Sequence, residues 1–237
     1  MGDRTEHVPP GARRRVLVEL VGLWLVTLLA IRLVVFVQAQ GLPDWTLAAV
    51  PFLFIYVPVA LCHYRGVDSY AYRIAIPAFG DRAAWIEAFR AAGLVIAVIA
   101  VPWFIGYHLY QTTLFGLTPE WRMPKDALLL VPYHLFFVAI PEEFFYRGYV
   151  QTRLNEVFPR KFLVFGQAVG WAVPIACLFF AFGHSLVVFR WWHFATFFPG
   201  LIFGWLREKT GNPLAGALFH AWCNVTVTCL DTFYGVI

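Results

Sequence analysis

Three short groups of polar residues sit in stretches otherwise too apolar to hold them. The first is Pro141-Glu142-Glu143-Phe144-Phe145-Tyr146-Arg147. The second is Phe180-Ala181-Phe182-Gly183-His184, and the third is His220-Ala221-Trp222-Cys223-Asn224. Ionisable side chains in such surroundings are costly and are kept where function requires them. Glu143 and Arg147 are one helical turn apart with the acid on the N-terminal side, the favourable order for an ion pair. Glu142 is turned about 100° from Glu143, so it cannot share the arginine equally. Pro141 lacks a donor and leaves the Phe137 carbonyl free, so a kink or break is expected just before the acids. Phe180 and His184 share a helix face, as do His220 and Asn224. Two carboxylates, two imidazoles and an amide fit acid–base hydrolysis. A carboxylate near an imidazole takes a proton from water, and a second imidazole with an amide N–H stabilises a developing oxyanion. The plainer readings are a salt-bridged helix end, an aromatic core stripe and an interhelical hydrogen bond. Glu19 and Arg32, near the two ends of the first apolar stretch, can snorkel and read as structural. His134 reads as a core histidine.

Other hydrolytic designs lack their residues. The chain has only two serines, Ser69 and Ser185, and no GxSxG. It has no HExxH, and Asp231 is the only aspartate near the interior of an apolar stretch. The four cysteines form no CxxC, so neither a disulfide framework nor a zinc ribbon is indicated. Two readings stand beside glutamate-based hydrolysis. One is a non-catalytic immunity or scaffold protein. The other is a zinc metalloprotease using Glu142, Glu143, His184 and His220, against which the absent HExxH weighs.

The elements that must position these residues follow from composition. The chain has 237 residues, of which 60% are hydrophobic and 14% charged, with mean hydropathy +0.67. Soluble domains average about 45–50% apolar and about 25% charged. Intrinsic disorder is excluded, and a net charge of +4 over so apolar a chain makes no nucleic-acid-binding stripe. The expected fold is all-α, a polytopic transmembrane bundle forming one integral-membrane domain over 1–237. Spans of about 20 apolar residues are read at 16–37, 45–62, 86–107, 127–154, 162–189, 192–205 and 213–234. That makes seven, with six to eight allowed, and the motif helices occupy 127–234. Residues 1–15 form a short polar tail, and the apolar run after it is too long for a signal-peptide core.

Lysine and arginine sort the loops. Placing the N-terminus in the cytoplasm puts 14 cations inside, from Arg4, Arg13, Arg14 and Arg15 through Arg65, Arg73, Arg82, Arg90, Arg147, Arg153, Arg160, Lys161, Arg207 and Lys209. Three fall outside: Arg122, Lys125 and Arg190. The bias supports a cytoplasmic N-terminus. Gly166–Gly170 and Gly200–Gly204 are GxxxG patterns that bring helix backbones close, within the chain or, as a second reading, across a homodimer.

In their order and spacing, Glu142-Glu143-xxx-Arg147, Phe180-xxx-His184 and His220-xxx-Asn224 resemble the three motifs of the CPBP family, the CAAX proteases and bacteriocin-processing enzymes also called the Abi family. Residues 200–224 also resemble that family's passage between its sixth and seventh helices. The resemblance implies a glutamate-type intramembrane endopeptidase with no covalent intermediate and no cofactor or metal. Carried over by position, Glu142 is the general base, helped by His184, and His220 and Asn224 stabilise the oxyanion. Glu143 and Arg147 are structural and orienting, and Phe180 supports the pocket. The partners implied are the lipid bilayer and a membrane-anchored protein or peptide substrate. The compact loops read as bacterial, hence an inner (cell) membrane location. The substrate classes are then a bacteriocin-like leader, an anchored regulator, or a C-terminal sorting tail cut in the myxosortase manner.

One mismatch stands. By the helical rise, His220 lies about 10 Å into its span, whereas His184 lies about 33 Å into a span starting at 162. The motifs converge only if the fifth helix is strongly tilted or begins later.

Overall fold

The computed structural model describes residues 10–68 and 74–236. Arg4, Arg73, Ser69 and the first nine residues of the tail lie outside them. Among the described residues seven principal helices follow the order of the expected spans, and the architecture is an all-α membrane bundle. Helix α1 is Pro10–Ala39, and Arg13, Arg14 and Arg15 lie in its first turns. A 3₁₀ turn, Asp44–Ala48, leads into α2, Ala49–Tyr64. Helix α3, Arg82–Leu109, is capped by the Asp81 carboxylate, which accepts from the Ala84 N–H, and continues as a π-helical turn, Tyr110–Leu114. Helix α4 is Ala127–Val157. After a β-hairpin come α5, Ala172–Val187, a 3₁₀ turn, Trp191–Thr196, α6, Phe197–Thr210, and α7, Leu214–Phe233.

By length and composition four stretches suffice to cross a bilayer: Gly11–Ala39, Asp44–Tyr64, Arg82–Leu114 and Ala127–Val157. Helix α5 is apolar but has only 16 residues. The large apolar side chains on the outer faces, such as Val26, Leu29, Val98 and Leu128, are exposed, as a lipid-facing surface requires.

Two expectations change here. The span read at 162–189 is not one helix. Arg160–Val164 and Gln167–Gly170 pair as antiparallel strands β1 and β2, reversing through Phe165 (φ 48°) and Gly166 (φ 76°). Two consecutive positive-φ residues make the tight reversal that matches strand twist. Short apolar runs do not distinguish strand from buried helix by pattern, which is why hydropathy merged this hairpin with α5. Gly166–Gly170 is therefore not a helix-packing motif. Gly166 makes the turn, and Gly170 lies so close to the Pro159 carbonyl oxygen that a Cβ would stand 2.7 Å from it. The second expectation was a kink or break just before the acids at Pro141, of which the break does not occur. Helix α4 runs on unbroken, with π-helical segments at His134–Ala139 and Phe144–Val150 on either side of a short α-helical turn, Ile140–Glu143. Widened turns of this kind accommodate a missing donor and recur at functional sites.

Gly200–Gly204 packs within the chain. The Gly200 carbonyl accepts from Arg147 Nη2 at 3.1 Å and the Gly204 carbonyl from Gln151 Nε2 at 3.0 Å, both across the α4–α6 contact. Glu19 and Arg32 are structural ties. The Glu19 carboxylate accepts from Tyr149 Oη at 2.7 Å and from Arg153 Nε at 2.9 Å, and pairs with Arg65 at 3.5 Å. Arg32 Nη1 donates to the Leu186 carbonyl at 2.7 Å. At the same end as the Glu19 cluster, Arg160 and Arg207 pair with Glu208. The end of α7 lies at the other end of the bundle, where the Glu120 N–H donates to the Phe233 carbonyl and Tyr107 donates to Asp231.

Candidate active site

The short α-helical turn at the middle of α4, between the two wide segments, presents both acids inward. Glu143 and Arg147 form the ion pair expected from their spacing, Arg147 Nη1 to Glu143 Oε1 at 3.2 Å, with both side chains wholly buried. The guanidinium lies flat against aromatic faces, 4.4 Å from the Phe180 ring centre and 5.1 Å from that of Phe203. With the Gly200 carbonyl as a further acceptor, Arg147 ties α4, α5 and α6 together. Buried arginine tolerates such a slot because its planar cation is weakly hydrated and stacks on rings.

Glu142 faces elsewhere. Its Oε2 lies 3.7 Å from His184 Nε2 and 3.9 Å from His220 Nε2. That oxygen is buried and has no hydrogen-bond partner. His184 Nδ1 is 3.0 Å from the Phe180 carbonyl, and only an N–H can satisfy a carbonyl there, so Nε2 is the nitrogen turned to Glu142. His220 Nδ1 is 3.1 Å from Glu143 Oε1, and the same reasoning turns its Nε2 to Glu142. Thus Glu143 serves two partners, Arg147 and His220. It approaches the site more closely than the single pairing read from sequence.

The histidines are held by rings. Phe180 meets His184 at 4.5 Å and His220 at 5.7 Å between ring centres, both edge-on. Phe203 stacks on His220 at 4.8 Å with an interplanar angle of 14°. With α5 starting at Ala172, His184 lies about 18 Å into its helix rather than 33 Å. The later start of the helix narrows the depth difference from His220 from about 23 Å to about 9 Å.

Glu142, Glu143, Arg147, Phe180, His184 and His220 therefore meet in one cluster. Asn224 lies one turn beyond His220 on α7 and is half-buried. Its backbone carbonyl accepts from Thr228 Oγ1 at 3.0 Å, and among the described residues its side chain makes no hydrogen bond to the cluster. Ser185 Oγ is buried without a hydrogen-bond partner, so His184 does not activate it. Among the described residues no group of three or more His, Cys, Asp or Glu side chains is arranged to hold a metal ion.

Sequence reasoning missed Phe203 and understated His134. Phe203 lies within the Gly200–Gly204 stretch, and local pattern offers no signal that it will stack on a histidine from another helix. His134 opens the first π-helical segment, which packs on α7, and its Nδ1 is buried without a hydrogen-bond partner.

Fold and cluster together define a polytopic membrane protein with a glutamate–histidine site enclosed by its helices. Residues 124–226 match the family model Rce1-like, described as Type II CAAX prenyl endopeptidase Rce1-like. That stretch contains all three motif groups, and over it the chain is similar to the CAAX proteases. No curated protein and no solved structure matches the chain significantly. The family match supports a CAAX-type intramembrane protease in general, and with the apolar helices an integral membrane protein.

Proposed function

We propose that the protein hydrolyses a peptide bond of a membrane-associated protein by water that Glu142 activates. The observation that carries this reading is the unpartnered Glu142 Oε2, 3.7 Å and 3.9 Å from two imidazole nitrogens. Those separations are too long for direct hydrogen bonds and leave room for a ligand atom that bonds to all three. A water there gives its proton to Glu142 while its oxygen adds to the scissile carbonyl. His184 Nε2 accepts the second hydrogen of that water and orients it. The oxyanion is stabilised from the α7 side, by His220 as an imidazolium, whose Nδ1–H is held by Glu143 and whose Nε2–H donates, and by the Asn224 amide one turn further on. Glu142 then passes its proton to the leaving nitrogen, so no bond to the enzyme forms at any step. Glu143 and Arg147 position His220 rather than touch the substrate.

The test is cleavage by Glu142→Gln in membranes. Glutamine keeps the shape but removes the base, so turnover should fall about 10²–10⁴-fold with thermal stability retained. A stable variant that cleaves at the original rate would overturn the assignment.

A further inference from the structure

A cavity of about 610 Å³ leads from Glu142 between the Asp44–Ala48 turn, the first turns of α2 and the first half of α4. Phe54, buried, lies at its inner end beside Glu142, while Trp45, 75% exposed, and Tyr133 stand at its mouth. From Tyr133 to Glu142 the helix covers about 13 Å. The cavity thus runs toward the end of the bundle at which α2 and α4 begin. The cation clusters lie at the opposite end, where Arg65 and Arg153 meet Glu19 and Arg160 and Arg207 meet Glu208. Cation-rich ends face the cytoplasm, so the mouth faces outward.

The lining adds a second constraint. Its carboxylates are Asp44, which also accepts from Gln38 Nε2 at 2.9 Å, and Glu142, with no lysine or arginine among the lining residues. A substrate ending in a free carboxylate would bring that charge between two acids, with no lysine or arginine on the cavity wall to meet it. An internal segment passing through carries no such charge. We infer, resting on the protease reading above, that the substrate is an exported membrane protein. It is cut within its chain, at the outward edge of a transmembrane anchor, by an extended segment entering between α2 and α4.

The mouth is tested first. Leu47→Cys and Val138→Cys line the cavity, and Lys209→Cys marks the opposite end. The otherwise unaltered chain, whose own cysteines are buried or half-buried, is the control. A membrane-impermeant maleimide should label the first two in intact cells, and Lys209→Cys only after permeabilisation. The reverse pattern overturns the inference. The termini of membrane proteins are then compared between native hosts carrying the original chain and Glu142→Gln. Termini that depend on Glu142, reduced about 10²-fold or more in the variant, should fall at the outward edge of anchors. Glu142-dependent cuts at the cytoplasmic edge, or in a free C-terminal tail, overturn the inference and leave the protease reading standing. The absence of any Glu142-dependent terminus overturns the protease reading itself.

Discussion

Adjacent in sequence, Glu142 and Glu143 both approach His220 but differ in their other contacts. Glu143 is committed to Arg147 at 3.2 Å and His220 at 3.1 Å, while Glu142 Oε2 has no hydrogen-bond partner. Their substitutions should separate accordingly. Glu143→Gln strips a wholly buried guanidinium of its counter-charge, at a cost of about 3–5 kcal/mol, seen as a lower unfolding temperature in detergent. The double change Glu143→Gln with Arg147→Met removes both charges and should recover part of that loss, with methionine filling the slot between Phe180 and Phe203. No recovery would mean that the Gly200 hydrogen bond, not charge balance, sets the role of Arg147. In the proposed mechanism Glu142 acts on water directly, so cleavage should persist after dialysis against a chelator. Loss of activity that zinc alone restores would make Glu142 and the two histidines ligands instead.

At the scale of elements, the close approach of α4, α5 and α6 sets the geometry of the cluster. A Cβ on Gly204 would stand 2.8 Å from Val173 Cγ1 and 3.0 Å from Gln151 Oε1. Gly204→Val should therefore cost about 1–3 kcal/mol through overpacking and weaken cleavage by parting α6 from α4. Gly93→Val on α3, with no neighbour within 4 Å, should be tolerated, and comparing the two unfolding temperatures checks it. In the hairpin, Gly166 has φ of 76°, a conformation that costs other residues about 1–2 kcal/mol. Gly166→Ala should lower stability by that amount and leave the cleavage rate per folded molecule unchanged.

For the molecule as a whole, the two ends differ in charge. The acids Glu19 and Glu208 gather arginines from α1's neighbours and from the hairpin at one end. At the other, Tyr107 donates to Asp231, and Arg122 pairs with Glu120. The start of α1 and the end of α7 lie at opposite ends of the described bundle. A reporter active only outside the cytoplasm should therefore work when fused after Tyr234 and fail when fused before Pro10. The opposite result would reverse the orientation of the whole bundle, and with it the outward direction of the cavity mouth.

Composition alone determined the all-α membrane architecture, because an excess of apolar residues in 20-residue runs has few other stable solutions. The motif spacing likewise determined which acid takes the arginine, since i,i+4 neighbours on a helix meet wherever the helix lies. The grouping of Glu142, His184 and His220 was legible as an inventory of costly polar residues, but not as a geometry. Their separations depend on where α5 begins, and hydropathy cannot see the hairpin at 160–170 because strand and helix residues are equally apolar there. Phe203 stacking on His220, Glu143 holding His220 by its Nδ1 and the cavity at Glu142 all arise between helices distant in sequence. Such contacts are set by packing, which the local pattern of residues does not encode.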